Sequence, residues 1–378
     1  MSEFIQIHAL WPYAASNPNR GRDNEPKTVE YGGFLRLRMS SPCQKAAWRM
    51  SDLFLDAFGG ALGREHMGLR TREFGAEIHE RLAKSGFDED KAVRWAQIIA
   101  AAFGALKPRK DGSSEPVQNE TLFFFSPREI GNLDSFVAAV IAERREPPNV
   151  KGKEALEKAG AEIRSHILVP EAGAVDIALF GRMFAHDKAY SVEAACQVAH
   201  AFTVNAVDIE DDVFVARDDK RRGGAADEST HVGSAHLSSH AFGSGIYYLY
   251  VTIDRTQLER SLGRPDLARL ASRTLTEAVL TVPPRGKINW SAHHGRAFYG
   301  RVERGERLPR SLALAYLSPV GARNGASGET WERESVVRLR DLALRFDRAY
   351  GPLVREVAEM NVLGGEGTLA ELLELAGK

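Results

Sequence analysis

The chain has 378 residues, 43% hydrophobic and 27% charged, with 50 Lys and Arg against 51 Asp and Glu, a formal net charge of -1. That balance suits a globular protein of two lobes with a sizeable core and excludes a wholly disordered chain. Two cysteines, Cys43 and Cys196, are too few for a disulfide framework or a four-cysteine zinc site.

FIQIHALW at residues 4–11 reads as a strand, because Ile5, Ile7 and Ala9 alternate with Gln6 and His8. The start of the chain has neither a basic n-region nor a small-residue cleavage site, and no window approaches the roughly 18 apolar residues of a membrane span. A cytoplasmic protein with no membrane partner is expected. A polar loop runs from Ala14 to Pro26, and the turn signal Gly32-Gly33 leads into Leu35-Arg36-Leu37-Arg38-Met39. Strand geometry puts Arg36 and Arg38 on one face and Leu35, Leu37 and Met39 on the other. Ser40 or Ser41, with Pro42 in the first turn, starts a helix through Phe58. Lys45 and Arg49 are four apart and stack on one face of that helix.

Residues 61–166 are read as a helical insertion, with a loop at 107–114 and a break at Pro147-Pro148-Asn149. Val175–Phe180 is expected to resume the sheet, Ser191–Ala201 to be a helix, and 203–232 to be a long polar excursion. Ile246–Ile253 is the most strand-like run, and Asp254–Leu280 returns to helix with leucines at 258, 262, 267, 270 and 275. The tail from Trp331 to Phe346 is amphipathic and suits core packing. Strand, helix, strand followed by strand, helix, strand is a ferredoxin-like order. The expected class is α+β: an RRM-like core (1–60 and 167–378) carrying two appendages, the helical insertion (61–166) and the polar excursion (203–232).

Charge is segregated along the chain. Residues 1–50 hold seven basic and four acidic side chains, and 283–310 hold seven and two, balances of +3 and +5. Residues 205–230 hold eight acidic and four basic side chains, a balance of -4. Two basic strips with an acidic segment between them fit a polyanion binder that also meets copies of itself.

Signals for catalysis are sparse. His231, His236 and His240 lie close in sequence, but no Glu follows in the zincin pattern and the surrounding glycines and serines favour loop. His293 and His294 are neighbours, which a strand would point to opposite faces. Asp23 sits beside Arg20 and Arg22 as a single carboxylate, which is not a two-metal site. No Walker loop or complete dinucleotide glycine fingerprint is present. No metal, cofactor or catalytic residue is therefore expected.

The segments FIQIHAL, Asn19-Arg20, Gly32-Gly33 with Arg36 and Arg38, and Ser40-Ser41 leading to Lys45 and Arg49 occur in the order of one known family. VDIALFGRM at 175–183, AHAFTVNAVDIEDD and GSAHLSSHAFGSGIYYLY continue it to residue 250. Together they resemble the repeated backbone subunit of the type I-E CRISPR surveillance complex Cascade, known as CasC. The resemblance implies an RRM-like palm with a helical finger-like domain and a thumb hairpin. It also implies several copies lined along one CRISPR RNA beside other Cascade subunits, presenting the spacer to target DNA. It places RNA-backbone contacts at Arg20, Lys27, Lys45 and Arg49, joined by Arg36, Arg38 and Arg182 as RNA-binding candidates. Met183 corresponds to a residue beside a displaced nucleotide, and Phe214 to the apolar wedge at the thumb tip. A second reading is a metal-dependent RNA endonuclease of the wider RRM-like CRISPR superfamily that uses Asp23, or a histidine for guide processing.

Overall fold

The structure, a computed structural model, describes residues 2–60, 65–108, 115–216, 236–321 and 330–378, without the side chains of 214–216 and 236–238. The chain divides into two compact units, one of residues 1–51, 198–252 and 272–378, the other of 52–197 and 253–271. The helical unit is thus wider than the expected 61–166: it takes in 52–60, 167–197 and 253–271, which the sequence assigned to the palm.

The strands in chain order are β1 (Phe4–Ser16), β2 (Thr28–Tyr31), β3 (Phe34–Met39), β4 (Leu69–Thr71), β5 (Phe123–Phe125) and β6 (Cys196–Val198). They continue as β7 (Ala201–Thr203), β8 (Glu210–Ala216), β9 (His236–Asp254), β10 (Tyr299–Gly305) and β11 (Glu356–Asn361). The main sheet runs β11-β10-β1-β9-β7-β3-β2. Its defined registers are antiparallel, with Ile7 opposite Val302, Phe202 opposite Tyr248 and Val29 opposite Arg36. The molecule is therefore a mixed α+β protein with an antiparallel sheet.

The alternation in β1 serves two buried faces. Ile5, Ile7 and Ala9 are buried, and so are Gln6 and His8. The polar face finds partners inside the protein: Gln6 Oε1 accepts from the Tyr250 hydroxyl at 2.8 Å and from the Arg310 backbone N–H at 2.7 Å, and His8 Nδ1 lies 2.9 Å from the Tyr248 hydroxyl, while His8 Nε2 makes no hydrogen bond and faces the Glu303 carboxylate at 3.7 Å. Buried polar groups need such partners. A core on this unit gathers Leu10, Tyr248, Tyr299, Tyr316, Val336 and Leu339. The last two come from the helix Trp331–Tyr350, whose apolar stripe packs inward as its pattern predicts. Gly32 (φ +65°) is required in the β2–β3 turn, since a Cβ there would meet the Leu317 carbonyl at 1.8 Å.

The second unit packs the helices Phe74–Lys84, Glu89–Ala101, Pro127–Ala142 and Lys153–Ile167 with the β4–β5 pair around Phe103, Phe123, Phe125 and Trp95. A capping box of Ser126 and Glu129 opens the third helix.

Several expected elements change type. Val175–Phe180 is a helix, not a strand. A six-residue apolar run has no decisive period, and Gly173 and Gly181, both at positive φ, bracket it while Asp176 in its first turn accepts from the Gly68 N–H at 2.8 Å. Ser191–Ala201 is not a helix but leads into β6 and β7. The helix from Ser41 stops at Arg49, a second runs Asp52–Phe58, and the helical stretch after Asp254 breaks at left-handed Gly263. The hairpin has arms 210–216 and 236–242, so its returning arm lies past the expected end at 232. Residues 217–235, with His231, lie outside the described residues.

Candidate nucleic-acid interface

The candidate surface begins where β1 ends, in a loop tied by its own backbone. Asn17 Nδ2 donates to the carbonyls of Asn24 (3.0 Å) and Ala241 (2.9 Å), and the N–H of Lys27 donates to the Asn19 carbonyl at 3.0 Å. Asn19 Oδ1 accepts from the Ser40 N–H at 2.8 Å, fastening the loop to the start of the helix Ser41–Arg49. Ser40 sits at the N-cap but makes no side-chain cap bond. Gln44 and Trp48 of this helix are buried, while Lys45 and Arg49 are half-buried one position along.

Arg20 is exposed and Lys27 half-buried. Arg38 Nε donates to the Thr28 carbonyl at 3.2 Å, and its Nη1 lies 2.7 Å from His200 Nδ1. Burial, and then the positive charges of Arg38 and Lys27, push His200 below its ordinary value. Desolvation and the nearness of Arg20 likewise lower Lys287, against an upward pull from Glu25. Burial leads both shifts, and the neighbouring cations add to it. Arg38, Lys27 and His200 thus form one positive group and Arg20 with Lys287 another, both at the loop 17–27 that Asn19 fastens to the helix carrying Lys45 and Arg49. His200 was missed in the sequence, and Lys287 was counted within a strip but not singled out.

Two nominated arginines are structural. Arg36 is fully buried, and its guanidinium donates to the carbonyls of Thr203 (2.9 Å) and Tyr316 (3.0 Å). Arg182 is buried in the second unit against Glu129 at 2.7 Å and donates to the carbonyls of Tyr190, Phe124 and Val169. Neither guanidinium presents a surface to a phosphate. The expected RNA roles of Arg36 and Arg182 are corrected accordingly.

Asp23 Oδ1 accepts from the Glu25 N–H at 3.1 Å, an Asx-type turn that gives the carboxylate a local task. Among the described residues no group of three His, Cys, Asp or Glu stands together as a metal cage. His293 is buried, with Nε2 3.0 Å from the Pro284 carbonyl, whereas His294 is exposed.

The sequence model of the CT1975-like protein family matches residues 5–373. The chain belongs to that family. Its fold is similar to a chain of a solved CRISPR RNA-guided surveillance complex in a pre-nicking state, at 27% identity and TM-score 0.76 over 99% of both chains. A chain of another CRISPR RNA-guided surveillance complex matches at 21% identity and TM-score 0.67, again over 99% of both, and speaks for the fold alone. A comparison with curated protein sequences finds no match. These matches bear out the resemblance drawn from residues 4–250 and carry it through the C-terminal strands.

In this CT1975-like protein Met183 is 90% exposed although its neighbour Arg182 is buried, which leaves the thioether open to a ligand. Phe214 lies on β8 opposite Ser238, and its side chain lies outside the described part. On the same strand Glu210, Asp211 and Asp212 are exposed and place negative charge on the hairpin. Among the described residues no helix is long and apolar enough to cross a membrane.

Proposed function

We propose that the chain is a non-catalytic backbone subunit of a type I-E CRISPR surveillance complex in the cytoplasm, binding the CRISPR RNA without cutting it. In this reading the first unit is the modified RRM palm, the second the finger-like domain, and the β8–β9 hairpin the thumb. Copies of the chain line up along one guide beside other Cascade subunits and present its bases for pairing with invading DNA. The observation that carries the reading is the pair of positive groups, Arg38 with Lys27 and His200, and Arg20 with Lys287, at the bonded loop 17–27. Cations on a fixed backbone frame hold phosphates and carry no base code. The exposed acidic side chains of the hairpin repel RNA, so that hairpin needs basic side chains of a neighbouring copy beneath it.

The full-length protein should bind mixed-sequence single-stranded RNAs of equal length alike at one salt concentration, and leave them intact with magnesium or manganese. One strand bound far more tightly than its scramble overturns the backbone-track reading. Metal-dependent cutting that disappears in Asp23→Ala moves the assignment to the endonuclease.

A further inference from the structure

Next to these cations stands an aromatic side chain that backbone binding does not need. Trp290 lies in a one-turn helix, Ile288–Ser291, flanked by Lys287 (φ 53°) and Ala292 (φ 48°), both left-handed without being glycine. Side chains with a Cβ adopt that backbone at a cost and keep it when their surroundings hold them there. Here Gly286 packs so closely that a Cβ would meet the Pro18 carbonyl at 2.2 Å, one residue before the loop of Asn19 and Arg20. The turn is therefore seated against the loop that carries Arg20.

The indole is 42% exposed. The Lys287 ammonium lies over its ring, 5.5 Å from the centroid, and 3.2 Å from His240 Nδ1. The His240 ring meets the indole edge-on at 5.5 Å, and Phe242 tilts against it at 6.2 Å. A tryptophan held by Lys287, His240 and Phe242 and still nearly half open keeps ring surface available to a ligand. Trp11, Trp48 and Trp95 are 5% exposed or less, whereas Trp331, at the start of its helix, is 49% exposed.

We propose that Trp290 stacks an unpaired base of single-stranded RNA while Arg20 and Lys287 hold the adjoining phosphate. A base face meets an indole face regardless of sequence, and the cation on the ring enriches the contact. Glu25 lies close enough to temper the local charge, so the aromatic contact adds affinity where charge alone is partly offset. The inference rests on the RNA-binding reading above and adds to it a subsite that reads the presence of a base.

The test compares a base-bearing RNA with an abasic strand of equal length, using the full-length protein, Trp290→Ala, Trp290→Phe and Lys27→Ala. Trp290→Ala should weaken binding of the base-bearing strand by about 5- to 150-fold and leave the abasic strand unaffected. Trp290→Phe should keep much of the difference, because a smaller ring still stacks. Tryptophan fluorescence of the wild type should be quenched by the base-bearing strand and not by the abasic one. Equal binding of both strands by wild type, or equal losses for both in Trp290→Ala, overturns the stacking step. If Trp290→Ala unfolds, absent quenching of the wild type by the base-bearing strand overturns it equally. Failure of this proposal alone is recognised by RNA binding that still falls with Lys27→Ala, whereas no RNA binding by any form removes the functional reading beneath it.

Discussion

Two segments of one unit carry an excess of positive charge, and the fold uses it differently. Residues 283–310 have a balance of +5 against +3 for residues 1–50. Yet Arg301 pairs with Glu303 and Glu359, Arg304 with Glu3 and Glu356, and Arg310 with Glu303 and Asp347. Three of its seven cations are thus drawn into a buried or half-buried charge network that braces β10 between β1 and β11, while Arg285, Arg296 and Arg307 are exposed and Lys287 lies by Arg20. In the N-terminal segment Arg20, Lys27, Lys45 and Arg49 ride on a loop and a helix edge and stay at least partly exposed, whereas Arg36 is buried on β3. Linear charge counts where charges are, and only the fold tells which carboxylate sits opposite.

The largest test of this contrast is Glu303→Ala. The carboxylate is fully buried and faces Arg301 at 2.7 Å, Arg310 at 3.1 Å and His8 at 3.7 Å. Its loss leaves two guanidinium groups without their counter-charge and His8 without the carboxylate it faces, and breaking a buried network of this kind costs roughly 3–5 kcal/mol. Denaturant unfolding should register that loss, while RNA affinity of the folded fraction stays at the wild-type value. Wild-type stability in the variant would show that the strip is not a structural brace.

Acid should reach the same network more gently. Burial raises the Glu303 carboxyl, but His8, Arg301 and Arg310 overcome it and hold it at about 2. A carboxyl depressed in the fold contributes stability that is complete above its unfolded value and is lost as pH falls through the folded one. Between about pH 5 and pH 2 the contribution amounts to roughly 3 kcal/mol. Burial also lowers His8, against the pull of Glu303, so its share has the same sign and begins to fade below the ordinary histidine value. Unfolding free energies across pH should therefore decline on the acid side, and the decline should flatten in Glu303→Gln. An equal slope in that variant would place the acid sensitivity elsewhere.

How much of this was readable beforehand divides along the same line. The opening strand, the Gly32-Gly33 turn, the strand at 246–253, the C-terminal amphipathic helix and the crowding of Arg20 with Lys27 follow from period, turn chemistry and local spacing. Arg36 and Arg38 were rightly placed on one strand face, but what covers that face comes from residues far along the chain, Thr203 and Tyr316, and alternation cannot see it. Arg182 was misread for the same reason, its partner Glu129 being 53 positions away. Val175–Phe180 misled because it is buried all round, which erases the difference between helix and strand. His200 and Lys287 join these groups through sheet pairing and loop packing, and neither carries a local mark of its place.

On the basic segment itself the expected effects are smaller in stability and larger in binding. Lys27→Ala and Lys45→Ala should each alter stability by no more than about 0.5 kcal/mol, and each should lower the salt dependence of RNA binding by about one unit of log–log slope. Affinities at several salt concentrations provide the check. Parallel slopes for variant and wild type would mean that the side chain meets no phosphate, and a marked loss of stability would return it to the structural class of Arg36.

The finest test uses His200, where the crowding is felt as a proton affinity. Burial and the charges of Arg38 and Lys27 keep the free protein's imidazole below its ordinary value, so near neutral pH it is uncharged. A phosphate bound at the cluster offsets the two cations and favours the imidazolium, so its proton affinity rises in the complex. Binding and protonation then reinforce one another. RNA affinity should increase as pH falls through the bound-state value and level off below the free-state value, by a few-fold in all, since one exposed charge is involved. His200→Gln keeps a polar side chain beside Arg38 and should remove that pH dependence while leaving affinity at pH 8 unchanged. If His200→Gln retains the full pH dependence, the phosphate does not pass Arg38, and the track is confined to Arg20, Lys27 and the helix carrying Lys45. If affinity instead falls on acidification, an acid group rather than this imidazole controls the surface.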